Sequence, residues 1–311
     1  MKRILALAVV GVSLAAALPA FAQSAPTARP EMRFCGGSER GNYYRIVGPS
    51  LQTQMGDQFN ITLKPTNGTP DILDGLVNPN RTDTAACDVG AAQLDGLLEV
   101  RDMTRVQFIT RLYDEYAHLI CTRQSGITGV SQLKNSQHII AIGARTSGSA
   151  VMWRSLVRTA PEYGTVRTRP MTSSEAVGAM LERGEVSCLL MVSGLNSEDV
   201  TAVGQRGNDR LRLVDFDDRA FSRRTVTIGS RQEALYRQAQ IPGGAYPQLN
   251  GSGWVSSGAI DTIAVSAVLV ASMDWVRTTR QTMGETRFAR GFYEGIDFAK
   301  PDIAAAVARR R

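Results

Sequence analysis

Apolar positions along the chain fall into two rhythms. Short apolar or alternating runs at 32–35, 59–63, 89–93, 117–122, 138–143, 188–192, 211–214 and 260–270 read as strands. Between them lie segments whose apolar residues return every three or four positions: 42–55 (with Tyr44, Val47, Leu51 and Met55 on one face), 69–77, 150–159, 176–183 and 275–292. These read as helices, and their starts are marked. Thr69-Pro70 pairs an N-cap with proline at the first helical position, and Thr172-Ser173-Ser174-Glu175 is a capping box. Asn78-Pro79-Asn80 stops the helix before it. Strands that alternate with helices predict an α/β fold with a mainly parallel sheet. Two such sets joined by long strands near 117–122 and 260–270 predict two lobes around a cleft. On this reading residues 32–118 and 262–311 form the first lobe and 119–261 the second.

One apolar run stands outside this pattern. Lys2 and Arg3 precede an apolar stretch at 4–18, and Ala20-Phe21-Ala22 matches a small-residue cleavage site. Residues 1–22 are expected to be a secretory signal peptide cut after Ala22, followed by a flexible leader at 23–31. The run is short for a membrane span and ends at Pro19. No cysteine directly follows it, which argues against a lipid anchor.

Composition adds limits. The 311 residues are 43% hydrophobic and 21% charged, a globular balance that excludes a disordered or fibrous chain. Removing residues 1–22 lowers the formal net charge of +6 by two. Arginines are scattered except at 309–311, so no stripe for nucleic acid is present. Only His118 and His138 occur, and no metal site or cofactor is expected. Cys35, Cys87, Cys121 and Cys188 lack C-x-x-C spacing, and in an exported chain they are expected to pair; four cysteines allow three pairings.

The candidate chemistry lies in loops that follow strands. The segment 35–44 carries glycines before a helix, so Ser38, Gly41, Asn42 and Tyr43 can bring backbone N–H groups to an anion. It is neither a P-loop nor a G-x-G-x-x-G turn. Asn67, Gly68 and Thr69 occupy the next strand-to-helix junction, and Thr146, Ser147, Gly148 and Ser149 the equivalent place in the second set. In an open α/β sheet ligands bind beyond the carboxyl ends of the strands, so these loops are expected to converge. Gln93 ends one strand and Ser193 another, while Tyr113 precedes a crossing. The loop 241–247 (IPGGAYP) is expected to close over a small molecule with Tyr246.

The order of these motifs resembles the TAXI family of solute receptors for tripartite ATP-independent periplasmic (TRAP) transporters. Gly41-Asn42-Tyr43-Tyr44 stands where that family has G-x-Y-Y, and Thr66-Asn67-Gly68-Thr69 where it has a T-G-G-S-like turn. Residues 88–95 match a D-apolar-apolar-x-Q-x-D strand, 112–119 an L-Y-x-E-x-x-H-L stretch, and 143–149 and 241–247 the G-x-x-x-S-G-[ST] and I-P-x-G-x-Y-P loops. The resemblance covers about residues 33–290. Asn67 in place of a glycine, an apparent insertion at 78–82 and the missing acid at 132–134 are departures.

The resemblance implies a two-lobe periplasmic-binding-protein fold of type II with two crossover strands. It implies a periplasmic protein, expected to be a monomer, that captures a small organic anion such as an amino acid or a glutamate-like carboxylate. It also implies delivery to the membrane permease subunits of a TRAP-type transporter, with no nucleic-acid partner and no catalytic residue. Beside it, the expected disulfides are Cys35–Cys87 and Cys121–Cys188, the second cysteine of each pair lying at or near a strand. Two rivals stand next to this reading. One is a ligand-loaded sensor that docks a membrane signalling receptor. The other is an exported serine hydrolase, for which Ser131-x-x-Lys134 is the available motif, although G-x-S-x-G, S-D-N and K-T-G are absent.

Overall fold

The computed structural model describes residues 28–78, 86–228, 231–250 and 258–309. The expected signal peptide, most of the leader, the last two arginines and most of the apparent insertion lie outside the described residues. Among the described residues no helix is long and apolar enough to cross a membrane.

The first strand set comprises β1 (Glu31–Cys35), β2 (Asn60–Lys64) and β3 (Val89–Gln93), with α1 (Gly48–Met55) and α2 (Thr69–Val77) between them. A π-helical turn, Tyr43–Val47, leads into α1, so the helix read at 42–55 is present but loosely wound where it begins. The long strand β4 (Val106–Thr122) follows. The second set comprises β5 (Ile139–Ala141), α3 (Gly148–Thr159), β6 (Arg167–Arg169), α4 (Ser173–Leu181), β7 (Cys188–Ser193), α5 (Glu198–Gly207) and β8 (Leu211–Val214). A hairpin, β9 (Thr225–Ile228) and β10 (Arg231–Ala234), then precedes β11 (Arg237–Ile241) and the short α6 (Pro247–Asn250). The chain ends with β12 (Ile260–Ser272), α7 (Met273–Met283), α8 (Glu285–Ala289) and α9 (Gly295–Arg309). The single helix expected over 275–292 is broken. Gly284, at φ 81°, leaves the helical region, caps α7 and starts α8.

The main sheet runs β2-β1-β3-β12-β4-β7-β5-β6, with β11 beside β12 and β8 beside β4. Pairings of β1 with β2 and β3, and of β5 with β6 and β7, are parallel. Every pairing made by β12 and β4 is antiparallel. The fold is therefore mixed α/β, with two parallel sets flanking a pair of long crossing strands. In β12, every residue from Thr262 to Ser272 is buried, as a central strand covered on both faces requires.

Both expected disulfides are formed. Cys35–Cys87 joins the end of β1 to the approach to β3, and Cys121–Cys188 links residues directly opposite in the β4–β7 ladder.

Candidate functional site

The strand-end loops of the two sets face one another across a cavity of about 420 Å³. Ser38, Gly41, Asn42 and Tyr43 line it from the β1 loop, and Asn67, Gly68 and Thr69 from the start of α2. Gln93 ends β3 there, Ser147, Gly148 and Ser149 open α3, and Ser193 ends β7. These positions are neighbours because each follows the carboxyl end of a strand in one sheet.

Local bonding places each of them. Ser147 caps α3 by accepting from Ala150 N, which leaves the N–H groups of Gly148 and Ser149 outside the helix's own bonds. The Ser149 hydroxyl accepts from Val192 N, tying α3 to β7. The first turn of α2 has no side-chain cap, and the Thr69 hydroxyl accepts from Gln93 N at 3.1 Å. Gly68 sits at φ 133°, and a Cβ there would lie 2.7 Å from the Thr146 carbonyl. A Cβ on Gly148 would lie 2.5 Å from the Gln93 amide nitrogen. Glycine at these positions lets the loops of the two sets touch.

Two expected site residues are placed elsewhere. Thr146 does not line the cavity; its carbonyl faces Gly68. Tyr246 is fully buried rather than poised over the opening, which corrects the expectation for its loop. Its ring meets that of His118 edge-on at 5.2 Å, and its hydroxyl accepts from Ser197 N at 3.0 Å. Tyr246 thus supports Ser197, which does line the cavity.

Sequence reading missed the acids. Glu115 and Asp199 both line the cavity. Glu115 projects from β4 on the same face as Tyr113, whose ring packs on Tyr43 at 6.2 Å. The Tyr43 hydroxyl donates to Glu115 Oε2 at 2.7 Å. Burial raises the Glu115 carboxyl from 4.5 to about 7, against hydrogen bonds from Tyr43 and Gln93 that pull it down, with Asp95 adding to the rise. Asp95 is likewise pushed up by burial to about 7, although Tyr236 and the Gly96 backbone hydrogen-bond to it. Asp199 is raised by burial, with Arg40 and Arg45 opposing and Glu198 adding. Burial and Glu115 hold Tyr43 far above its usual value, so its proton is retained.

A raised carboxyl keeps its proton in the folded state at pH values where the unfolded chain has lost it. Folded stability therefore falls as pH climbs from about 4.5 toward about 7, by at most ~3 kcal/mol for this group. Glu115→Gln removes that slope. The variant is expected to match the parent near about pH 4.5 and to exceed it by ~2–3 kcal/mol at about pH 8. Denaturant unfolding across that range reads it, and a gap that stays constant with pH counts against the buried acid.

The histidines and the S-x-x-K pair lie apart from the cavity. His118 is buried in β4 and held well below its usual value, at about 4, by burial. Lys134 pairs with Asp218 at 3.0 Å and sits over the Tyr163 ring. His138 meets the Ser187 hydroxyl at 2.8 Å.

Residues 34–285 match the model of the NMT1-like family, most of the sequence. This chain belongs to the NMT1-like family. A search of curated proteins finds no match. Among solved structures, the chain is similar to the alkanesulfonate-binding protein SsuA of Xanthomonas axonopodis pv. citri bound to MOPS (13% identity, covering 91% of this chain and 86% of that one, TM-score 0.46). It is also similar to the periplasmic aliphatic sulphonate binding protein SsuA of Escherichia coli (12% identity, 91% and 84%, TM-score 0.45). A third is a TRAP periplasmic solute binding protein of Haemophilus influenzae with bound L-gulonate (8% identity, 90% and 82%, TM-score 0.48).

Proposed function

We propose that this member of the family is an exported solute receptor. It captures a small organic anion, an amino acid or a carboxylate, in the cavity and delivers it to a membrane permease of the TRAP type, as the TAXI resemblance implies. It works in the periplasm after cleavage behind Ala22. Its lobes are residues 32–118 with 262–311, and residues 119–261. The observation that carries this reading is the shared cavity between the ends of two parallel strand sets, rimmed by helix starts. The N–H groups of Thr69, Gly148 and Ser149 and of the loop at Ser38 would hold an acid group, which helix N-termini favour. Approach of the lobes adds the second wall and excludes water, which strengthens those hydrogen bonds. The closed and open forms present different surfaces to the permease, so the captured molecule biases docking.

Calorimetric titration and thermal shift with organic acids and amino acids test the reading. Saturable heat with a rise in melting temperature is expected; silence from every compound would count against it.

The two lobes also meet outside the cavity. Arg154 in α3 forms a two-pronged ion pair with Glu99, which follows β3, with contacts of 3.0 and 2.7 Å. Arg158 adds a third contact at 3.3 Å. Burial pushes Glu99 up, but the two arginines hold its carboxyl below the usual range. The cluster favours the closed form. Arg154→Ala is expected to weaken capture of whichever acid binds by about fivefold, equivalent to ~1 kcal/mol, and to reduce its salt dependence. An unchanged dissociation constant at low salt would show that the pair does not hold the lobes.

A further inference from the structure

Acids stand where an acid ligand has to fit. Glu115 and Asp199 both line the cavity, and among the described residues no lysine or arginine does. An ionised carboxylate beside a captured carboxylate repels it, and a closed cavity that excludes water sharpens the cost. Asp199 has cations to answer it, Arg40 and Arg45. Glu115 has none among the described residues. The groups that act on it are the Tyr43 hydroxyl ahead of α1, the Gln93 amide at the end of β3 and the Asp95 carboxyl just beyond. On its own strand Tyr113 packs on the Tyr43 ring, β12 sets Val265 opposite, and α3 opens with Gly148 and Ser149. Two hydrogen bonds are thus all that favour its ionised form, and burial outweighs them.

The cover over this group comes from the other strand set. Tyr43 and Gln93 belong with β1 and β3, whereas Gly148 starts α3. Gly148 lies so close to the Gln93 side chain that a Cβ would stand 2.5 Å from its amide nitrogen.

Resting on the receptor reading above, we propose that capture of an anion is coupled to uptake of a proton by Glu115, so that the cavity holds the acid group while Glu115 is neutral and rejects it once Glu115 ionises. The proton comes from solvent to a Glu115 carboxylate oxygen and returns to solvent on release. Parting of the lobes withdraws Gly148 from Gln93 and lets water reach the Gln93–Glu115–Tyr43 chain, which draws the carboxyl back toward its ordinary value. Closure over an anion acts in reverse, by expelling water and by adding a like charge. The coupling is fully present near about pH 4.5 and is lost as pH climbs through about 7.

The probes are L-glutamate, L-leucine, 2-oxoglutarate and pyruvate, whose carboxyl groups stay ionised from about pH 6 to about pH 8. For any that binds, the dissociation constant is expected to rise about tenfold across that range. Calorimetry in buffers of different ionisation enthalpy counts the proton, with uptake of about 0.9 expected at about pH 6 and about 0.5 at about pH 7. Glu115→Gln is expected to take up less than about 0.2 proton, to vary less than about twofold in affinity over the range, and to bind more tightly than the parent at about pH 8. Binding by the parent without uptake overturns the proposal and leaves the receptor reading in place, as does uptake that survives in Glu115→Gln. Silence from every probe overturns both. If Glu115→Gln fails to fold, NMR of the Glu115 carboxyl carbon in the parent decides: at about pH 6 it is expected to be protonated in the complex and ionised in the free protein, and an ionised carboxyl in the complex overturns the proposal.

Discussion

Replacing Gly68 by alanine is expected to lower affinity for a captured amino or organic acid by about a hundredfold or more. Two costs add. At φ 133° the backbone is in a region that side chains avoid, which costs ~1–3 kcal/mol in any form of the protein. The new Cβ would also lie 2.7 Å from the Thr146 carbonyl, a backbone atom that cannot swing aside, so the α2 and α3 loops are held apart. The first cost lowers the melting temperature by a few degrees. The second falls only on the form in which the loops touch. Gly126→Ala is the control: its φ of 72° is strained too, but nothing lies within 4 Å of the added atom. That variant is expected to lose stability and keep its affinity. Titration calorimetry with a thermal melt separates the two, and normal affinity in Gly68→Ala would show that the loops need not meet.

Losing either disulfide is expected to be the largest single change in stability. The bridges close loops with sequence separations of 52 and 67 residues. Loop-closure entropy assigns each about 4 kcal/mol, a large share of the 5–15 kcal/mol that holds a typical domain folded. Paired substitution to serine, Cys35 with Cys87 or Cys121 with Cys188, avoids leaving a lone thiol. Each double variant should unfold at a markedly lower denaturant concentration than the parent. The same shift is expected for the parent under a strong reductant. A loss below ~1 kcal/mol would mean that the open chain is already compact around those cysteines.

Much of the cavity was legible because its parts are local. Ser38 to Tyr43, Asn67 to Thr69 and Ser147 to Ser149 are turn and cap residues directly after apolar runs, and the rule that strand ends converge then needs no further information. Glu115 stands at the acid of the L-Y-x-E-x-x-H-L stretch, yet nothing local places it in the cavity. Asp114-Glu115 lies in an alternating strand where an acid usually marks the solvent face. Only the pairing of β4 with β12 on one side and β7 on the other decides which acid turns inward. Tyr246 failed for a related reason. A loop of glycines and prolines reads as exposed, yet the His118 ring and the Ser197 backbone, both distant in sequence, draw the aromatic inside. The helix α5 went unread because Val200 and Val203 are the only large apolar residues among its ten.

The place of β12 has a consequence for how the chain can be shortened. β3 and β4 follow one another in sequence but never touch as a ladder, because a strand made far later fills the space between them. A polypeptide that stops before Ile260 therefore presents two inward edges with open backbone groups, one of them the wholly buried run Val89–Gln93. Such edges are templates for pairing with another chain, so a truncated product is driven to aggregate rather than to persist as a smaller working unit.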